Sequence, residues 1–365
     1  MEAVSQRSTS EFDRAKAESF VGYMIGLLNG GFVTLMISIG HRTGLFDAMA
    51  TLQPSTSEQI ARKAKLNERY VREWLGSMVT GKIVEYDSKN GTYKLPPEHA
   101  SAITRAAGIR NLASRAQVLS LCGEVEEQVV ECFRNGGGVP YSAYPRFTEL
   151  MAEGSSKVHD ARLVDAILPL VDGLIDRLQK GISVLDIGCG SGHAINLMAE
   201  AFPNSRFVGY DFSRKGIAAA KAEAKRLKLS NVRFAAKDAA TLNEPKRYDL
   251  ITAFDAIHDQ AKPTKVLEAI SRGLEPDGVF LMVDVAASSN LHENLQHPLG
   301  PFLYSVSTMH CMTVSLAYEG EGLGAVWGEQ LAKQKLSEAG FNSVEIRKIP
   351  GDILNSYYIA RKTRA

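Results

Sequence analysis

The sequence has few of the residues that would indicate a disulfide scaffold, a zinc ribbon or a surface for nucleic acid. Its 365 residues include four cysteines, at positions 122, 132, 189 and 311, and no Cys-x-x-Cys spacing. We therefore expect reduced thiols and a cytoplasmic location. The 42 basic and 41 acidic side chains leave a net charge of +1, so no overall field attracts nucleic acid or an anionic membrane.

A signal peptide and a membrane span are also not expected. Residues 1–18 are polar and mixed in charge, unlike a signal peptide. Residues 20–40 carry no charge, but Asn29, Gly30 and Gly31 stand at the centre of this stretch. A polar amide and two helix-weakening glycines are unfavourable in lipid, so we predict two short buried helices, at a subunit interface. No membrane partner is expected.

The amino-terminal third has the pattern of a winged helix. Helices are predicted over 58–65 and 68–80, followed by a hairpin of 83–86 and 92–95 around Asn90-Gly91. Such a module either binds DNA through its second helix or serves dimerisation and substrate covering. The solvent face of that helix carries Glu68, Arg69, Arg72 and Glu73, whose charges cancel. A helix that contacts phosphates should be basic, so the sequence favours the second role.

We divide the chain into three parts. Residues 1–100 hold the first helices and the winged helix, and residues 101–155 form a helical linker and lid that includes the Gly/Pro-rich joint 136–145. Residues 156–365 begin with a helix over 156–179 and then alternate strands with helices, which predicts an α/β domain. Five βα units end in an antiparallel pair, making seven strands, because only a short turn separates the last two. These strands are expected at 183–187, 206–210, 232–236, 249–254, 279–285, 343–348 and 357–361.

A glycine-rich turn follows the first of these strands. Gly188, Gly190 and Gly192 would let backbone amides approach a polar cofactor closely. The dinucleotide fingerprint needs its third glycine at position 193, which is His193 here. Asp186 precedes the turn, where a carboxylate repels a pyrophosphate and suits an ammonium group. The turn is therefore not that of a dinucleotide fold.

Two further acids follow the next two strands. Asp211 is placed to accept ribose hydroxyls with Phe212 beside the adenine, and Asp238, before Ala239, is suited to the adenine amino group. Any one of these acids could simply cap a helix. Three acids at three successive strand ends instead predict a nucleoside cofactor without phosphates.

These segments resemble the class I S-adenosylmethionine-dependent methyltransferases over about residues 156–361, including Tyr248-Asp249-Leu250-Ile251 and Leu274-Glu275-Pro276-Asp277-Gly278-Val279. With the winged helix, in which residues 69–75 read RYVREWL, the chain is similar to small-molecule O-methyltransferases and their bacterial and animal relatives. The resemblance implies a Rossmann-like seven-stranded domain, S-adenosylmethionine as donor with Phe254 among its contacts, a small-molecule acceptor and a homodimer.

The resemblance also implies a catalytic residue. The plant-type enzymes carry a His-Asp pair after the fourth strand, and the match falls on His258-Asp259. An imidazole suits a general base, since it titrates near neutral pH. No carboxylate that would orient His258 is evident, and residues 260–263 depart from the plant pattern. A hydroxyl acceptor is favoured, and a thiol or an amine stays open.

The acceptor pocket is expected to be lined by the insertion 286–327, with the tyrosines of the joint and the first helices as a lid. No metal is expected: His292 and His297 are five residues apart, and the side chains of adjacent His310 and Cys311 diverge. The predicted lining residues are Tyr141, Tyr144, Tyr304, Met309, Cys311 and Met312.

Two other functions remain open from the sequence. The chain could be a winged-helix transcription regulator that senses S-adenosylmethionine, or it could methylate protein or nucleic acid. A pocket covered by the amino-terminal part would exclude the latter.

Overall fold

The structure, a computed structural model, describes residues 12–362. The first eleven residues, part of the segment expected not to be a signal peptide, lie outside it. The chain forms two compact units that divide between Leu119 and Ser120. Each unit is described by itself.

The first unit is mainly helical. Its elements are α1 Arg14–Thr43, α2 Leu45–Ala50, α3 Ser57–Ala64, α4 Glu68–Thr80, β1 Glu85–Asp87, β2 Thr92–Lys94, α5 Pro97–Ile103, a 3₁₀ helix Arg105–Arg110 and α6 Leu112–Arg115, and the division falls within α7 Gln117–Gly123.

The winged-helix prediction is confirmed by α3, α4 and the β1–β2 hairpin. A capping box starts α3: Thr56 Oγ1 accepts from the Gln59 amide, and Gln59 Oε1 accepts from the Thr56 amide at 2.8 Å. The apolar face of α4 is buried, and the Trp74 ring meets the Phe46 ring edge-on at 5.2 Å. Burial of this face against α2 and α3 holds the module together.

The prediction of two short buried helices over 20–40 was wrong. One continuous helix, α1, covers the stretch, and residues 18–30 are all exposed. Gly30 and Gly31 weaken a helix by about 1 kcal/mol each, which is too little to break one of 30 residues. Among residues 12–362, α1 alone has the length and apolar composition of a membrane-crossing helix.

The second unit contains the mixed sheet. Its elements are α8 Glu126–Asn135, a 3₁₀ helix Tyr141–Ala143, α9 Phe147–Arg162, a π-helix Leu163–Ile167, a 3₁₀ helix Leu168–Leu170, α10 Leu174–Lys180, β3 Ser183–Ile187, α11 His193–Ala201, β4 Arg206–Asp211, α12 Arg214–Arg226, β5 Val232–Ala236, a 3₁₀ helix Ala239–Thr241, β6 Tyr248–Phe254, α13 Pro263–Gly273, β7 Leu274–Val285, a 3₁₀ helix Leu291–Asn294, α14 Gly300–Val306, a π-helix Ser307–Cys311, α15 Met312–Ala317, α16 Gly328–Glu338, β8 Ser343–Arg347 and β9 Asn355–Arg361.

The sheet confirms the predicted seven-stranded α/β fold. Its order is β5-β4-β3-β6-β7-β9-β8, and β9 runs antiparallel to both neighbours. The central strands are buried on both faces, as apolar runs such as 279–283 require. The topology brings the carboxyl ends of β3 to β7 to one edge, where open α/β sheets bind ligands.

The single helix predicted over 156–179 was wrong. The chain leaves α9 through a π-helix and a 3₁₀ turn before α10 begins. Pro169 cannot donate a helical hydrogen bond, and Gly173 has a left-handed φ of 71° directly before α10. These two residues end one helix and start another.

Candidate active site

The loop after β3 has a backbone that requires glycine. Gly188 and Gly190 have φ values of 68° and 53°, in the left-handed region that disfavours other residues. A Cβ on Gly188 would lie 2.5 Å from the Ala256 Cβ, whereas a Cβ on Gly190 would meet no atom within 4 Å. The space beside Gly190 is therefore open to a ligand, and Gly188 lets the β6–α13 segment approach the loop.

Asp211, at the end of β4, fixes this loop. Its Oδ2 accepts from the Gly190 amide at 2.8 Å and its Oδ1 from the Ser213 amide at 2.7 Å. Burial raises the pKa of Asp211, while the two amides oppose that rise. Phe212 stays half exposed beside the Tyr141 ring, 5.1 Å away. The predicted nucleoside contacts thus lie next to the glycine loop.

The acids of β3, β4 and β5 lie at one edge of the sheet, because the three strands are neighbours. Asp186 is buried and accepts from Thr252 Oγ1 at 2.7 Å, and burial raises its pKa to about 7. Asp238 is exposed and caps the following 3₁₀ helix through the Ala240 amide, with Ala239 buried beside it. Their contacts with a cofactor stay predictions.

The edge suits a donor without phosphates. Lys237, which follows β5, is paired with Glu244 at 2.9 Å and is not free to bind phosphate. Phe254, at the end of β6, meets the His159 ring edge-on at 5.0 Å. Glycines that admit a ligand, together with acids around them, fit a nucleoside that carries positive charge.

His258 lies in the segment after β6 and is almost fully buried. Its Nδ1 is 2.7 Å from Asp284 Oδ1, and its Nε2 is 3.3 Å from Asp259 Oδ1. Burial lowers the pKa of the imidazole, but the charges of Asp284 and Asp259 outweigh that effect and hold the pKa well above its usual value. The arrangement stabilises a protonated His258.

Asp284 is the orienting carboxylate that the sequence analysis did not identify. Its Oδ1 also accepts from Trp327 Nε1 at 3.0 Å and from the Val285 amide at 2.8 Å, so the carboxylate is fixed. One signal could have found it: an acid inside the apolar run 281–285, LMVDV, at the carboxyl end of a fully buried strand. A buried acid in that place needs a partner.

Two further side chains complete this cluster. Cys311 is buried within hydrogen-bonding reach of His258 and Asp259, and burial raises its thiol pKa to about 12. Asp255, directly after β6, has a φ of 49°. Burial and the charge of Asp284 raise the pKa of Asp255 to about 7.

An aromatic cluster lies beside His258. The His310 ring stacks on Phe147 with centroids 3.7 Å apart, and the rings of Tyr141 and Tyr144 meet His310 edge-on. Burial lowers the pKa of His310 to about 4, so the ring is neutral. Of the predicted pocket residues, Tyr141, Tyr144 and Cys311 are brought together here. Phe147 and His310 were missed because only the tertiary structure joins them.

The Gly/Pro-rich joint packs within the second unit. The Tyr144 hydroxyl donates to the Met309 carbonyl at 2.5 Å, and the Val139 amide to Thr313 Oγ1 at 3.0 Å. Two other predicted residues have different neighbours: Tyr304 accepts from Asn294 Nδ2 at 3.0 Å, and Met312 lies against Gly324. Hydrogen bonds between distant segments therefore fix the joint against residues 309–313.

Comparison with known proteins identifies two domain families in the chain. Residues 31–105 match the Rv2258c-like winged HTH domain, and residues 178–340 match a methyltransferase domain family. (S)-Coclaurine N-methyltransferase of Papaver somniferum is 30% identical over 125 residues, 34% of this chain and 36% of that protein. The chain spans 36% to 60% of the length of the first four curated relatives that it matches.

Two solved structures share the fold over nearly the whole chain. Human N-acetylserotonin methyltransferase in complex with S-adenosylmethionine has a TM-score of 0.68 at 18% identity, covering 97% of this chain and 99% of that one. Mitomycin 7-O-methyltransferase has a TM-score of 0.70 at 17% identity, covering 95% and 98%. The chain therefore combines a winged helix-turn-helix domain with a methyltransferase domain of the class I S-adenosylmethionine-dependent fold.

Proposed function

We propose that the chain transfers a methyl group from S-adenosylmethionine to a hydroxyl group of a small organic molecule, with His258 as the general base. The observation that carries this proposal is the His258–Asp284 pair, 2.7 Å apart at the ends of β6 and β7. The bound donor supplies an electrophilic methyl group on a sulfonium. The acceptor oxygen forms a bond to that carbon while the carbon–sulfur bond breaks.

The role of the chain is to orient the acceptor, to exclude water and to remove the proton of the acceptor hydroxyl. Nε2 of His258 takes the proton, and Asp284 holds the ring through Nδ1 and stabilises the imidazolium that forms. The carboxylates of Asp284 and Asp259 favour a protonated His258 ring before the donor binds. A sulfonium nearby would lower the pKa of His258 by like-charge repulsion and prepare it as a base.

The aromatic cluster supports a small acceptor. Tyr141, Phe147 and His310 present flat, apolar surfaces with few polar atoms, the composition typical of small-molecule pockets. The coclaurine relative is named as an N-methyltransferase and the mitomycin enzyme as an O-methyltransferase, so an amine acceptor is the second possibility.

The test compares wild type with His258→Ala and His258→Gln. We expect S-adenosylmethionine to bind all three alike in calorimetry, and methyl transfer to fall by about 10²–10⁴-fold in both variants. The acceptor would first be found by labelled transfer to a panel of phenols, thiols and amines. A loss of transfer below about tenfold would show that His258 is not the base.

The regulator alternative is not favoured. On α4, Arg72 pairs with Glu68 at 3.3 Å and Arg69 pairs with Glu73, so the exposed face of the second helix is neutralised by its own acids. Titration of duplex DNA at low salt tests this directly. Tight binding of duplex DNA would support the alternative function of a transcription regulator.

We also propose that α1 mediates a homodimer. Over residues 20–28 its exposed side chains are apolar on all sides of the helix, and such a surface favours burial against a partner. A second copy offers a matching surface, whereas Asn29 disfavours lipid. Light scattering should give a dimer for wild type and a monomer for Leu28→Lys; flotation with lipid vesicles would instead indicate a membrane partner.

A further inference from the structure

Three potential metal ligands meet beside the aromatic cluster. His258 Nε2, a carboxylate oxygen of Asp259 and Cys311 Sγ all lie within 4.8 Å of one another. His258 Nε2 and Asp259 Oδ1 are 3.3 Å apart, close to the edge of a tetrahedron around an ion with ligand bonds of about 2.0–2.1 Å. Among the described residues, Asp259 Oδ1 is buried without a hydrogen bond. Its ion pair with His258 Nε2, at 3.3 Å, would be replaced by bonds from both atoms to the cation.

His258 is also held as metal-binding histidines usually are. His258 donates from Nδ1 to Asp284, which fixes the ring and directs Nε2 towards Asp259 and Cys311. Trp327 and the Val285 amide hold Asp284 in turn. A carboxylate behind the histidine raises its basicity as a ligand.

The ligand set selects the kind of ion. One nitrogen, one oxygen and one sulfur are the donors that Zn²⁺ accepts, and a thiolate disfavours Mg²⁺ and Ca²⁺. Three protein ligands leave a fourth position for water. On binding, Cys311 loses its thiol proton to solvent, and any proton on Nε2 leaves as well.

We propose that His258, Asp259 and Cys311 form a site for a thiophilic divalent cation of the Zn²⁺ type, and that the bound ion stops methyl transfer by occupying His258 Nε2. The first part stands on the ligand geometry alone. The second part rests on the proposed function, because it requires His258 to be the base.

Cobalt tests the site without any turnover. The full chain is treated with chelator and titrated with Co²⁺, and one equivalent should produce the near-ultraviolet thiolate-to-cobalt absorption. Cys311→Ser should lose this absorption, whereas Cys132→Ser, on α8 and outside the cluster, should keep it. No such absorption in wild type, or its persistence in Cys311→Ser, overturns the site.

A second variant keeps the test decisive if Cys311→Ser does not fold. Asp259→Asn keeps the thiol and the shape of the side chain but weakens one ligand, so the Co²⁺ affinity should fall by at least about tenfold, with the absorption still visible at saturation. Circular dichroism checks the fold of both variants. An unchanged affinity in folded Asp259→Asn contradicts the three-ligand site.

Inhibition is measured separately. One equivalent of Zn²⁺ should abolish wild-type methyl transfer, chelator should restore it, and Asp259→Asn should need about tenfold more Zn²⁺. If Co²⁺ binds through Cys311 but Zn²⁺ leaves transfer unchanged, the inhibitory role is wrong and the site stands. If no acceptor is methylated at all, the proposed function fails while the cobalt result still decides the site.

Discussion

The two halves of the candidate site are built differently, although both lie at the carboxyl edge of one sheet. The proposed donor side comprises the glycine loop 188–192 with Asp211 and Asp238, and the hydrogen bonds of these two carboxylates join residues from 2 to 21 positions apart. The acceptor side comprises His258, Asp284, Cys311 and the aromatic cluster. Its contacts join residues 26, 43 and 165 positions apart.

This difference in construction predicts how each half of the site responds to amino-acid substitution. Backbone amides and positive-φ glycines hold the donor side, so its shape depends on few side chains. The acceptor side depends on buried side-chain hydrogen bonds between separate segments, each of which can be removed singly. We therefore expect changes on one side to leave the ligand of the other side largely unaffected.

The largest effect is expected from Asp284→Asn. An amide cannot stabilise an imidazolium as a carboxylate does, so methyl transfer should fall by about 100-fold or more. Binding of S-adenosylmethionine, measured by calorimetry, should stay within about threefold of wild type. Asp172→Asn, at an exposed acid, is the control. Equal losses of donor binding and turnover would break the separation between the two sides.

Gly190→Val should have the converse effect. An added Cβ meets no protein atom within 4 Å, so the expected cost to folding is the backbone strain at φ 53°, at least about 1–2 kcal/mol. The new side chain would fill the space beside the loop and weaken S-adenosylmethionine binding by about 100-fold. Gly351→Val carries comparable strain, since its φ is 78° in an open turn. If that control weakens donor binding as much, strain and not occlusion is the cause.

His193, which begins α11 directly after the glycine loop, makes the stability of the chain depend on pH. Its nitrogens lie 2.8 Å from Asp160 and 3.0 Å from Glu223. Burial lowers its pKa, but these hydrogen bonds and charges raise it above the usual value. The resulting stabilisation is complete below about pH 6.5, the unfolded pKa, and is lost as pH rises through the folded pKa.

Urea unfolding of wild type and His193→Gln measures this contribution. The free energy of unfolding of wild type should exceed that of the variant by about 1–2 kcal/mol near pH 6 and by less near pH 9. His292→Gln removes an exposed histidine and should show no such trend. A difference in free energy of unfolding between wild type and His193→Gln that grows with pH would contradict the prediction.

The smallest effect is expected from Tyr144→Phe on the acceptor side. Loss of the hydroxyl leaves the Met309 carbonyl without this donor and should lower stability by about 1 kcal/mol. The KM of the acceptor should rise several-fold, while donor binding stays unchanged. Tyr70→Phe, at an exposed tyrosine of α4, controls for the substitution. A change in donor affinity would show that the two sides are coupled.

Most of the fold could be predicted because its signals are local. The seven strands of the sheet were located within a few residues, since buried parallel strands read as short apolar runs between turns. Helix continuity was predicted less well. Gly30 and Gly31 suggested a break in α1 that does not occur, while Pro169 and Gly173 cause a break that was not expected.

The sequence by itself determined the seven-stranded fold and the placing of Asp186, Asp211 and Asp238 at one sheet edge, because the carboxyl ends of parallel strands meet at the same edge. Only the tertiary structure decided what surrounds His258. Asp284, Cys311 and Trp327 come from other segments, and no spacing along the chain records how an insertion folds back over a sheet. Their positions follow from side-chain packing between those segments.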